Sequence, residues 1–284
     1  RAFNVGASVF NKGINVQAMG GVALSESVKT QQDASVVYAG TGTLDVVSTK
    51  SLETNSRLLT ITADDMALVG TVSSGTSALM LHCTSANRAV VLGASGSAGQ
   101  LGLSDSEFAL LTANGMTIGG AQCGGQVVSG VSEASSDAVS GVLTLLATRD
   151  EATVTFSSQG STLNALSVTA DKGIVVNGVN INADTGILHL DGDSDNSFDV
   201  GDSITFTDGL TMTAATVITL QATTSGIVPA GKLTLSAQTG VYITDDMSGA
   251  ASSKALVINA DSDSTGSSGT LTVATGKTVT SNKS

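Results

Sequence analysis

Tryptophan is missing from these 284 residues, proline occurs once, at Pro229, and aromatic side chains make up only 3%. A sandwich core of this length ordinarily draws on large rings to fill the gap between its sheets. Their scarcity argues for strands stacked closely enough that small side chains suffice. Charge is also scarce, at 13% of residues, about half the usual share for a soluble domain. The long Ala, Leu, Glu and Lys stretches that helices favour are absent. No stretch reaches the ~18 consecutive apolar residues of a membrane-spanning helix, so membrane insertion is not expected. Basic residues are few as well: the net charge is −12 and the pI about 4.3. A phosphate backbone would be repelled, so nucleic acid is not an expected partner. Cysteine is limited to Cys83 and Cys123, too few for a disulfide framework. The two are either free and buried or joined in one bridge between neighbouring turns of a stacked structure.

What remains is Val, Leu, Ile and Ala for a core, and Ser, Thr and Gly for a surface. β-Branched residues suit strands. A Ser/Thr-rich, Lys-poor, acidic surface is common on secreted proteins, and the expected location is extracellular or the cell surface. The short apolar runs Val36-Val37-Tyr38, Leu79-Met80-Leu81, Leu143-Thr144-Leu145, Ile204-Thr205-Phe206 and others alternate at period two, separated by Gly, Ser, Asn and Asp.

The chain also repeats itself. Leu59–Gly70, Leu166–Asn177 and Leu233–Thr244 share one pattern of alternating strand, polar turn and second strand. The second and third copies lie 67 residues apart, and Leu188–Asp195 recurs as Leu256–Asp263 after 68. Read as three coils, this unit gives about 22 residues per coil, about 13 coils in all, and a rod roughly 60 Å long at the spacing of β-strands. Thr43–Asn55 returns at Thr270–Asn282, two residues before the chain stops. Residues 1–284 are therefore expected to form a single continuous all-β solenoid, a segment of a longer repetitive protein. Ser129–Gly141, where apolar residues thin out, is the expected place for one helical turn or an insert.

Residues 89–131 carry a family resemblance. Ala89–Gly93 is a strand ending in Gly, followed by Gly99–Thr112 with its Leu103-Ser104-Asp105-Ser106-Glu107-Phe108 segment, then Gly115–Gly120 and Gln126–Gly130. This order resembles the coil series of filamentous-haemagglutinin-like β-solenoid repeat proteins, giant extracellular and surface proteins, with Phe108 where Leu is usual. The resemblance covers about 40 residues closely and the rest in texture. It implies a single-stranded right-handed parallel β-helix and a structural or adhesive extracellular role, and it carries over no catalytic residue.

Candidate sites are few. Asp191, Asp193, Asp195, Asp199 and Asp202 fall at positions 1, 3, 5, 9 and 12 of a twelve-residue stretch, with apolar Phe198 at position 8. Alternate oxygens of this kind converge on calcium, although Asn196 replaces the usual Gly at position 6 and no helical pattern follows. The same residues also make a solvated acidic corner. His82, Cys83, Cys123 and His189 show no metal-ligand spacing. Gly93–Gly99 looks like a phosphate-cradling loop but leads into the strand-like Gln100–Ser104, and so reads as a turn. Thr-x-Thr pairs at Thr60/Thr62, Thr153/Thr155, Thr205/Thr207, Thr211/Thr213 and Thr278/Thr280 are unevenly spaced, which suits exposed strand positions better than an ice-ordering array. Asp64/Asp65 and Asp245/Asp246 are adjacent carboxylates whose side chains diverge on extended backbone, and aromatic sugar platforms are wanting, so no enzyme is expected. The reading is a non-catalytic building block of an extracellular filament or long surface fibre, stacking end to end with copies or adjacent repeats. The alternative is an adhesin stalk that binds glycan or cells through a part outside this segment. Open edge strands favour the stacking.

Overall fold

The computed structural model describes residues 2–3, 6–249, 254–265 and 269–281. It is a parallel β-solenoid. Its largest sheet has 13 strands, twelve of which follow one another as successive levels while Asn15–Gln17 pairs to the side. Every strand pairing between the named strands of the described chain is parallel. Twelve levels stand close to the thirteen coils expected, and at the usual strand spacing give a stack of roughly 55 Å.

Each coil is a triangle. In the second half the chain runs from the long face (Leu188–Asp191) to a second face (Ile204–Phe206), then a third (Leu210–Ala214), and back to the long face at Val217–Gln221. In the first half the long strands Ser35–Val46 and Leu59–Leu68 span more than one of these positions. The third face begins as the sheet through Ser51–Glu53 and Thr71–Ser73 and resumes from Ser161–Leu163 onwards.

Period-two alternation puts one set of side chains inside. On the long face Leu59, Leu79, Met116, Leu143, Leu166, Leu188, Ile218 and Val241 are register partners in turn. All are buried. The adjacent, outward column, one residue further along each strand, is Thr60, Met80, Thr117, Thr144, Ser167, His189, Thr219 and Tyr242. Inside, Phe108, Phe156 and Phe206 are among the largest fully buried side chains. Stacked aliphatic columns fill a narrow coil without rings from an opposing sheet, which is why the aromatic content can be so low.

The 67-residue unit does not survive as a stack of three coils. Leu166 lies on the long face, but Leu233 lies on the third face and pairs with Leu210 and Leu256. Leu188 and Leu256 are displaced in the same way. The actual rise on the long face runs from 20 residues, between Leu59 and Leu79, to 37, between Leu79 and Met116. The echo of Thr43–Val46 at Thr270–Val273 also changes position: the first pairs with Asp65–Leu68 and the second with Gly240–Ile243. A strand-and-turn unit looks the same on any side of a triangle, so repeated sequence records strand chemistry and not axial position. Asn282, the end of that echo, lies outside the described residues. Leu59–Asp64 and Leu166–Asp171, by contrast, occupy equivalent places on the long face.

The 37-residue coil is the irregular one. Arg88–Gly93 and Gln100–Ser104 are parallel neighbours within it, joined by six residues. The return passes so close over the second strand that a Cβ on Gly102 would sit 2.4 Å from the Gly96 nitrogen. Only glycine permits that approach. A short helix, α1 (Asp105–Phe108), follows, with a complete capping box between Ser104 and Glu107. Ser129–Gly141 holds the helical turn expected there, α2 (Glu133–Ser136). Cys83 and Cys123 form a disulfide that closes this longest coil.

Candidate functional site

The corner leaving the long face gathers the chain's buried acids. Five aspartates there accept backbone N–H groups from the adjoining coil. Asp64 accepts from Thr84 N–H at 3.1 Å and Ser85 N–H at 2.7 Å, with the Ser85 hydroxyl donating as well. Asp171 accepts from Glu151 N–H at 2.8 Å, Asp193 from Thr224 N–H at 2.8 Å, and Asp245 from Ala222 N–H at 3.0 Å. Asp246, exposed, accepts from Thr278 N–H and its hydroxyl. A corner leaves strand geometry, so its N–H groups lose their ladder partners, and a buried donor must find an acceptor. A carboxylate reaching one level along the axis supplies it and stitches two coils together.

The electrostatics differ along this column. Burial works to raise the Asp64 carboxyl, but the Ser85 hydrogen bonds and the Arg88 charge outweigh it and hold the group below its ordinary value. Arg88 also donates to the Asp64 carbonyl at 2.8 Å and to the Gln100 carbonyl at 3.0 Å, tying the inserted strand to the corner. At Asp171 burial combines with the charges of Asp195, Asp150, Asp199 and Asp202, pushing the carboxyl up to about 6. Burial likewise lowers His189 and raises Asp191. Lys277 pairs with Asp245 at 2.8 Å.

The five aspartates expected to share one ion are divided by the fold. Asp191 and Asp195 accept the N–H groups of Asp193 and Ser197, as turn-forming aspartates do. Asp193 and Asp202, both fully buried, converge on Thr224, which donates its N–H to the first and its hydroxyl to the second. Asp199 instead faces Asp150 and Asp171: carboxylate oxygens of these three lie within 4.8 Å of one another. Phe198, which would be tucked in if the loop imitated a helix–loop–helix calcium site, is 72% exposed. The sequence reading missed Asp150 and Asp171. The available signal was the shared Leu-x-x-Thr-Ala-Asp ending of residues 59–64 and 166–171.

The remaining candidates have structural partners. His82 Nδ1 lies 2.7 Å from the Gly119 carbonyl, Cys83 is in the disulfide, and His189 Nδ1 lies 3.3 Å from the Ser167 hydroxyl. Gly93–Gly99 is a turn between strands. Thr60 and Thr62 neighbour Met80 and His82. Asp65 accepts from the N–H groups of Met66 and Gly102. Asp245 is buried while its neighbour Asp246 is exposed, as divergent side chains require. Comparison with protein-family models, curated proteins and solved structures finds no match to this chain.

Proposed function

We propose that the chain is a non-catalytic structural building block of an extracellular filament or long surface fibre, joined end to end with copies of itself or with adjacent repeats. The observation that carries this reading is the pair of unbroken inward columns along the long face, from Leu59 and Ile61 through to Leu271 and Val273. A coil in such a stack buries its apolar face only against its neighbours. At the last described level that cover is thin: Leu271, partner of fully buried Val241, is 51% exposed. Leu256 and Ile258 on the third face are only partly covered. These are surfaces that a further coil would bury. The disulfide supports an oxidising compartment outside the cytosol, and the resemblance of residues 89–131 to surface solenoids agrees with it.

The test is light scattering over a wide concentration range with electron microscopy of the same samples. The reading expects particles that lengthen by whole rods. A chain that stays monomeric throughout, with both end coils protected from hydrogen exchange, would sink it. Glycan or cell binding by this segment alone would count against both a pure building block and a stalk that binds through a part outside it.

A further inference from the structure

We propose that a second copy of this chain docks on the outward side of the long face, long face against long face with the two rods antiparallel. Rods then pair sideways, through a surface separate from the end joint.

The surface is continuous. From Leu59 to Leu271 nine strands of this face follow one another with no shift of register. Three outward columns result. The middle one runs from Thr60 through Met80 and Thr144 to Tyr242 and Thr272. On one side of it Leu58, Val142, Ile187 and Val217 belong to an apolar column, in which Ile187 is 38% exposed. On the other side stand Thr62, His82, Leu146, Thr169, Asp191 and Gln221. Asp191 is the only carboxylate in the three columns, and they hold no Lys or Arg. Charged pairs such as Lys172 with Glu151 and Lys254 with Asp208 sit at the corners instead. At a net charge of −12 two copies repel wherever charged surfaces meet, so the face with almost no charge is where they can touch.

The area suits a second copy. Nine levels at ~4.8 Å and a width of five residues at ~3.3 Å give roughly 700 Å² on each partner. Two copies then bury roughly 1,400 Å², within the ~1,200–2,000 Å² of stable specific interfaces. The second and third faces are narrower, with three-residue strands such as Val154–Phe156, Ile174–Val176 and Ile181–Ala183.

The columns also set the direction. A two-fold axis along the middle strand, Ala165–Ala170, makes the rods antiparallel and lays each column on its own copy. Ile187 then comes opposite Val142, and Tyr242 opposite Met80, a thioether against an aromatic ring. Parallel rods would lay the apolar column on the one that holds Asp191, desolvating a carboxylate without a partner.

The experiment uses the whole 284-residue chain, with and without Leu271→Lys to block the end joint, in sedimentation and electron microscopy. We expect dimers one rod long and two rods wide that tighten with added salt, as the repulsion is screened. Thr144→Lys combined with Thr219→Lys should weaken pairing at least tenfold, and Asn182→Lys on the third face should leave it within threefold. A spin label at Ser167→Cys, on the axis, should find its copy within ~20 Å, and one at Thr60→Cys should find its copy about 38 Å away, eight strand spacings. The labels report the pairing even if the lysine variants do not fold. The proposal is overturned if the Leu271→Lys chain stays monomeric at millimolar concentration, or if Asn182→Lys weakens pairing as much as the long-face variants. It is equally overturned if both labels lie close to their copies, which makes the rods parallel, or if a monomeric chain holds a neutral glycan on this face. Particles that grow in length but never in width overturn it while leaving the end joint standing.

Discussion

Asp64 and Asp171 each stand five residues beyond the column-matched Leu59 and Leu166 of the long face, yet their surroundings push their protons in opposite directions. Asp64 has three donors and an arginine around it, while Asp171 has one backbone donor and four carboxylates. One backbone position thus serves as a hydrogen-bond hub in one coil and as a reservoir of repulsion in another.

Stability against pH should carry both signatures. Asp64 has a depressed folded value, so its contribution is present above the unfolded carboxylate range and disappears as pH falls through the folded value. Asp171 is raised from 3.8 to about 6, so in metal-free protein its contribution runs the other way. The folded chain there binds more protons than the unfolded one, and stability falls as pH rises from about 4 to 6. Asp171→Asn should remove that slope and, in chelator at pH 7, stabilise by on the order of 2 kcal/mol. Asp64→Asn should destabilise at pH 7 and matter less near pH 3. Urea unfolding of the two variants across pH 3–8 checks both signs.

Breaking the disulfide should loosen the irregular coil first. Chain-entropy arguments for a separation of 40 residues give a stabilisation of about 4 kcal/mol. Reductant should lower the melting temperature of the native chain and leave a Cys83→Ser/Cys123→Ser double variant unaffected. Hydrogen exchange should quicken between residues 84 and 122 before it does elsewhere.

Inward and outward columns should answer mutation differently. Leu188 is fully buried, and Leu188→Ala should cost about 2–5 kcal/mol. Thr144 points outward on the same sheet, and Thr144→Ala should stay within about 0.5 kcal/mol. Chemical denaturation of the two variants separates them.

If end coils join, charge placed on the uncovered column should prevent it. Leu271→Lys, at a half-exposed position, should abolish concentration-dependent growth in light scattering while leaving the melting temperature within a few degrees. Unchanged growth would remove this face from the joint.

The solenoid was legible because alternation and composition act locally: Leu143-Thr144-Leu145 states its own inside and outside. The helical turn within Ser129–Gly141 was legible for the same reason, as a gap in apolar residues. Axial register was not, because Leu166 and Leu233 carry the same local pattern on different faces. Helix α1 could have been found from Ser104 and Glu107, whose spacing is that of a capping box. The site was only half visible. Asp199 stood in an obvious acidic run, but Asp150 and Asp171 reach it through stacking across coils; Asp171 ends the Leu-x-x-Thr-Ala-Asp pattern shared with residues 59–64, while Asp150 stands in no motif of its own.

The acidic loop after Leu188–Asp191 adds residues to its coil without disturbing the ladder. Leu188 pairs with Ile218 thirty residues on, and the coils on either side rise by 22 and 23. Contour length and rod length are therefore uncoupled: extra chain is discharged sideways at a corner while each level still advances by one strand spacing. Such a corner is a natural berth for grafted peptides. A tag inserted between Asn196 and Ser197 would be carried on the flank of the rod, at a fixed height, with the columns beneath it unchanged.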